Sequence, residues 1–305
     1  MANSAIERAV SATGVPSTHE DSVGHPVLLA LDGTGQGDGA LALAGWLSTA
    51  RHARVHVISV VEPSCYAAVD DLATDNFAGR CATRRHLILE QIDGEDPYDA
   101  PWPVTVVPGS PVTLIADAAN GTACELLIMG LPRRGDLVTF RAENALRIAR
   151  RVMKPVIAVH RSLRVPPSSC VAAIDFSKSS LLAARVAATL LAPGGTLFLA
   201  HVQPGIEPGL QTIYSQGITG AFERLTHDLA APASVRVKPA LLHGEPRVDL
   251  PTFCDRVKAD LVAVGTSRVD AAHLHRARLS SSFMRSGSRS VLIAPALARD
   301  LRCSS

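Results

Sequence analysis

Aromatic side chains are rare in this chain: seven Phe, three Tyr and two Trp among 305 residues, 4% in all. Its cores must come from Val, Leu, Ile and Ala, the residues of parallel sheets buried on both faces. Cysteine provides no framework either. Cys65, Cys81, Cys124, Cys170, Cys254 and Cys303 are scattered and form no Cys-x-x-Cys pair. That spacing speaks against a zinc site or disulfide scaffold, and for reduced thiols in a cytoplasmic protein. Charge of one sign is also missing. Lys and Arg number 30 against 28 Asp and Glu, a formal net charge of +2. So small an excess argues against a nucleic-acid partner. The runs Arg84-Arg85 and Arg147-Ile-Ala-Arg150-Arg151 read as solvated helix faces. No apolar run reaches membrane-spanning length. Residues 1–24 read as a flexible polar tail, without the basic start and apolar stretch of a secretory signal.

What the sequence does hold is a duplication. Val27-Leu-Leu-Ala-Leu-Asp32 returns as Cys170-Val-Ala-Ala-Ile-Asp-Phe176, with Asp32 and Asp175 lying 143 residues apart. Three further anchors recur 135 residues apart: Gly109-Ser-Pro111 as Gly244-Glu-Pro246, Glu125-Leu-Leu-Ile-Met-Gly130 as Asp260-Leu-Val-Ala-Val-Gly265, and Pro155-Val-Ile-Ala-Val159 as Ser290-Val-Leu-Ile-Ala294. Each half reads as five short apolar strands separated by helices. The strands fall near 27–31, 55–61, 103–107, 125–129 and 155–159, then near 170–174, 196–202, 235–242, 260–264 and 290–294. Asp38 and Ser177 read as helix N-caps, and Pro111 and Pro246 as first-turn residues. Strand–helix alternation requires parallel strands and right-handed crossovers, hence two tandem doubly wound, Rossmann-like α/β units. The boundaries expected are 25–162 and 163–305, joined by a linker at 161–169. The segments 64–100 and 205–231 differ most between halves and read as mobile loop-plus-helix insertions.

Other motifs fall away. Gly35-x-Gly37-x-x-Ala40 imitates a dinucleotide fingerprint, but Asp32 interrupts the approach and the second half has no such glycines. It reads as a flexible turn. Walker A and Gly-x-Ser-x-Gly strings are absent. His273 and His275 point to different helix faces, with no metal set nearby. No nucleophile or oxyanion donor pairs with Asp32 or Asp175, so neither reads as a general base, and the chain reads as non-enzymatic.

The ordered set resembles the universal stress protein family. The resemblance rests on Asp32-Gly33-Thr34 and Asp175-Phe176-Ser177, on His201-Val202, on the two Gly-x-Pro turns, on Asp260 to Arg268 with its counterpart through Gly130, and on Lys154 to Val159. It covers nearly the whole chain, twice. It implies strand order 3-2-1-4-5 and a ligand crevice where that order reverses. It implies ATP or another adenine nucleotide there, with the base near the strand-one Asp and phosphates on a loop of Gly, two residues, Gly, nine residues, Gly, Ser/Thr. The site residues so implied are Asp32, Thr34, Gly130 and Arg133 in the first half. In the second they are Asp175, Ser177, His201, Gly265, Thr266, Ser267, Arg268 and Ser280.

Both copies depart from the loop pattern. Arg133 and Arg268 stand where a second glycine belongs, followed at the distal positions by Glu143-Asn144 and Arg278-Leu279. Gly135 and Ser280-Ser281 lie near enough to substitute. The arginines either contact phosphate or fill the groove. The expected function is a stress-response or regulatory module gated by an adenine nucleotide. Its rival is an interaction or dimerisation module with degenerate crevices, meeting a protein partner through the variable loops. The last strands of the halves are expected to meet as an intramolecular pseudo-dimer, which leaves room for a further homodimer. The hydroxyl-rich second half is expected to be the better site, and Glu143 is expected to repel phosphate in the first. Thiols this scattered predict that reductant leaves the melting temperature unchanged and that elemental analysis finds no stoichiometric metal.

Overall fold

The structure is a computed structural model that describes residues 25–62, 74–94, 102–131, 139–203, 211–229, 231–266 and 274–296. The N-terminal tail, Cys65 and Cys303 lie outside them. The first repeat runs β1 (Pro26–Ala30), α1 (Asp38–Arg51), β2 (Arg54–Val61), α2 (Thr74–Asp93), β3 (Val104–Pro108), α3 (Pro111–Gly121), β4 (Leu126–Gly130), α4 (Thr139–Arg151) and β5 (Val156–Val159). The second runs β6 (Ser169–Ala173), α5 (Lys178–Leu190), β7 (Thr196–Gln203), α6 (Gln211–Asp228), β8 (Arg236–His243), α7 (Pro246–Arg256), β9 (Leu261–Gly265), α8 (Leu274–Ser286) and β10 (Ser290–Ala294). Among the described residues, no helix is long and apolar enough to cross a membrane.

Each repeat has the order 3-2-1-4-5 with parallel strands throughout. The two sheets are not separate, however. β5 and β10 pair antiparallel, with Val291 opposite Ala158, Leu292 opposite Ile157 and Ile293 opposite Val156. The result is one ten-stranded sheet, ordered β3-β2-β1-β4-β5-β10-β9-β6-β7-β8. Helices α1, α2, α5 and α6 cover one face through Leu41, Leu43, Ile88, Ala184 and Phe222. Helices α3, α4, α7 and α8 cover the other through Ile115, Leu146, Phe253 and Met284. Strands buried on both faces explain the near-continuous apolar runs. β8 carries Pro239 mid-strand, which is tolerable because β8 is an edge.

Local chemistry sets the helix starts. Ser177 caps α5, accepting from the Ser180 N–H. Asp38 is not the cap of α1. Gly37 holds that place, and Asp38 is the first helical residue. Its carboxylate is used elsewhere, because Gln91 Nε2 of α2 donates to it at 2.8 Å and Arg164 of the inter-repeat linker pairs with it at 3.1 Å. Pro111 and Pro246 open their helices, where a missing N–H costs nothing. The variable segments supply α2 and α6, which lie on the sheet. Nor are the basic runs merely solvated: Arg85 donates to the Val104 carbonyl at 2.6 Å, and Arg150 to the Ser281 hydroxyl at 3.2 Å across the α4–α8 crossing.

The buried thiols report on the core. Burial pushes Cys170 up and Cys254 from 9.0 to about 11. The native state therefore keeps protons that the unfolded chain releases. That stabilisation is complete below the unfolded value and is lost as pH rises through the folded one. Denaturation midpoints should fall between about pH 9 and about pH 11, and a Cys170→Ala, Cys254→Ala double variant should fall less.

Candidate functional site

The chain makes the same turn after the first strand of each repeat. Asp32 Oδ1 accepts from the Thr34 N–H at 3.1 Å and from the Thr34 hydroxyl at 2.6 Å. Asp175 Oδ1 likewise accepts from the Ser177 N–H, at 3.0 Å, and from its hydroxyl. This local closure is why Asp with Ser or Thr two residues on suits a tight turn. The middle residue must be left-handed: Gly33 has φ +67° and Phe176 φ +60°. Glycine adopts that freely, whereas for phenylalanine it costs about 1–2 kcal/mol. Two aromatic neighbours hold Phe176 there, the His201 ring at 5.2 Å and the Phe222 ring at 5.7 Å.

The surviving glycines close the fold. A Cβ on Gly130 would stand 2.7 Å from the Gln36 carbonyl oxygen, and one on Gly265 only 2.4 Å from the Ser180 nitrogen. In both repeats the start of the first helix lies directly on the end of the fourth strand, Gln36 and Gly37 just before α1 in one and Ser179 and Ser180 in the first turn of α5 in the other, so the glycine is required by backbone contact.

A cavity of about 320 Å³ opens at the carboxyl ends of β1, β2 and β4. Asp32 and Gly130 line it as expected, with Asn144 and Ile148 from α4 and Pro111 and Ile115 from α3. Arg80 and Arg84 of α2 line it too, with Glu62 at its rim. Sequence reasoning missed both arginines. The signal was there: Arg80, Arg84 and Ile88 recur every fourth residue, so one helix face carries two cations and then a core residue. Glu143 is not where phosphate was expected. It faces Arg285 of α8 at 3.6 Å.

The second repeat uses most of its hydroxyls internally. Ser177 caps α5, the Ser180 hydroxyl donates to the Ser177 carbonyl at 2.9 Å, and the Thr266 hydroxyl reaches the Ala294 carbonyl at 3.3 Å. His201 Nδ1 bonds the Ile174 carbonyl at 2.8 Å, tying β7 to the end of β6. Ser280 is buried in α8. Counted along the sequence, the hydroxyls of Ser177, Thr266 and Ser280 looked available. In space Ser177 belongs to a turn and a cap and Thr266 meets a strand carbonyl, while Ser267 and Arg268, which also carried the ranking of the second half, fall among the residues not described. Arg133, Gly135, Ser267, Arg268 and His273 lie outside the described residues. Among the described residues there is no group of three His, Cys, Asp or Glu able to hold a metal.

Two doubly wound repeats, each with a carboxylate turn after its first strand and a backbone-covered glycine ending its fourth, define a class of duplicated α/β protein. The family model described as the universal stress protein family matches residues 25–160 and again 168–295. The chain belongs to that family, as a tandem member. Solved structures agree on the fold. The universal stress protein of Archaeoglobus fulgidus DSM 4304 superposes with a TM-score of 0.66 over 88% of this chain and 98% of its own, at 17% identity. A functionally unknown protein of Pseudomonas aeruginosa PAO1 superposes with a TM-score of 0.54 over 94% and 95%, at 13% identity. No curated protein matches the chain.

If the two glycines serve packing, Gly130→Ala and Gly265→Ala should each lower stability by about 1–3 kcal/mol through overpacking. Urea denaturation without added ligand measures this, and unchanged midpoints would return the glycines to a ligand role.

Proposed function

We propose that this family member is a non-enzymatic cytoplasmic stress-response module that takes one adenine nucleotide, ATP or a close relative, in its first repeat. Residues 25–162 and 163–305 form its two units on this reading. The supporting observation is the cavity at the strand-order reversal, which gathers Asp32 beside Arg80 and Arg84. Its volume falls at the lower end of ligand pockets, roughly 300–1,000 Å³. The Asp32 carboxylate suits the N–H and O–H donors of a base or ribose, while the arginines suit an anionic tail. Among the described residues the polar lining side chains are Asp32, Gln36, Glu62, Arg80, Arg84 and Asn144.

One observation favours the interaction-module reading. A groove of about 640 Å³ runs between α6 and the edge strand β8, lined by Ile218, Phe222, Pro239 and Leu241. An apolar groove beside a sheet edge suits a polypeptide partner.

Calorimetric titration of ATP into the full chain separates the readings. Saturable binding at one site is expected. Asp32→Asn keeps the acceptor for the Thr34 turn and removes the charge, so it should weaken ATP about tenfold, on the scale of one charged hydrogen bond, with melting unchanged. Absence of both heat and a ligand-induced melting shift would favour the interaction module.

A further inference from the structure

We infer that phosphate recognition in the first repeat has moved from the loop after β4 to helix α2, where Arg80 and Arg84 read the anionic end of the ligand. The inference rests on the nucleotide reading of this cavity and adds to it the residues that select phosphate.

The loop after β4 is poorly equipped for that task. Gly130 is covered by the Gln36 carbonyl. Arg133 replaces the next glycine, and Glu143 and Asn144 replace the distal glycine and hydroxyl. Nor does Glu143 turn into the cavity, since it pairs with Arg285.

Helix α2 is well placed by contrast. Ile88 is wholly buried and anchors the helix to the sheet. Gln91 Nε2 ties it to the first-strand turn, donating to the Thr34 carbonyl at 3.1 Å and to Asp38. The face so anchored carries Arg84 and Arg80 over the cavity, one and two turns earlier. Arg80 spends one N–H on the Glu62 carbonyl at 2.9 Å, which fixes its guanidinium at the rim. Further donors remain on each fork. Arg84 makes no ion pair with a described residue. Two guanidiniums one turn apart lie close enough to share one phosphorylated tail. Asp32 and Glu62 line the same cavity. A bare anion is therefore a poor match, and a ligand with donors at one end and phosphate at the other is a good one.

The second repeat shows the same device removed. Its counterpart helix, α6, has a single arginine, Arg224. Where the first repeat has Gly33 beside the Arg84 stem, the second has the Phe176 ring packed on His201 and Phe222.

The test titrates ATP and adenosine separately into the full chain, wild type and Arg80→Met, Arg84→Met double variant, at low and high salt. Methionine keeps an apolar stem and removes the charge, and a melting curve without ligand checks folding. The double variant is expected to bind ATP about ten- to hundredfold more weakly, to bind adenosine as wild type does, and to lose most of the salt dependence of ATP binding. Unchanged ATP affinity in the variant would overturn the arginine site and leave the nucleotide reading standing. Equal loss for ATP and adenosine would overturn it as well, since the arginines would then act on the cavity's shape. If wild type binds neither ligand, both readings fall together.

Discussion

The antiparallel pairing of β5 with β10 is the contact on which the rest of the architecture depends. Both strands are short and wholly buried, with Ile157 and Leu292 at 0% exposure facing each other in register. Each would otherwise be the open apolar edge of a five-stranded sheet, and such edges invite aggregation. Pairing them removes both edges at once. It also makes the two apolar layers continuous: the cluster holding Leu29 and Ile128 extends to Leu197 and Ala294, and the one holding Leu127 extends to Val262 and Phe283. The sheet edges left over are β3, guarded by Arg85, and β8, interrupted by Pro239.

Around that frame the repeats keep their scaffolding and change their lining. The carboxylate turn, its left-handed middle residue and the glycine ending the fourth strand occur twice with nearly the same geometry, since local hydrogen bonds and close backbone approach constrain them in both repeats. Among the described residues, other positions near the crevice differ between the repeats. Gly33 becomes Phe176, whose unfavourable backbone is held by an aromatic stack. The strand registers set Ser59 of β2 against His201 of β7, which is tied to the Ile174 carbonyl. Duplication thus leaves two similar backbones with unlike interiors, one with basic residues at its crevice and one packed with aromatic rings.

The inter-repeat linker is part of this arrangement. Arg164 pairs with Asp38, Asp38 holds Gln91, and Gln91 holds the Thr34 carbonyl at the cavity's entry turn. On the opposite face, Arg150 of the first repeat meets Ser281 of the second. The first crevice is therefore held through polar contacts with the connection to the second repeat, as well as through its own sheet.

Much of this was legible from the chain alone. Strand and helix order, the helix-opening prolines and the Ser177 cap follow from signals local in sequence, namely apolar period, turn chemistry and backbone restriction, and the duplication from its recurring anchors, whereas the meeting of the last strands rested on the family resemblance and on their apolar edges. The lining of the site was only half legible. Asp32 and Gly130 stood out because they belong to the motifs that carry the family resemblance. Arg80 and Arg84 did not, because α2 belongs to the segment that differs most between repeats, and only packing over β1 and β2 decides which of its faces meets the cavity. The hydroxyls of Ser177 and Thr266 looked available for the same reason in reverse. Composition counts donors, but whether a donor is already spent on a neighbouring carbonyl or cap depends on distances that exist only once the chain has folded.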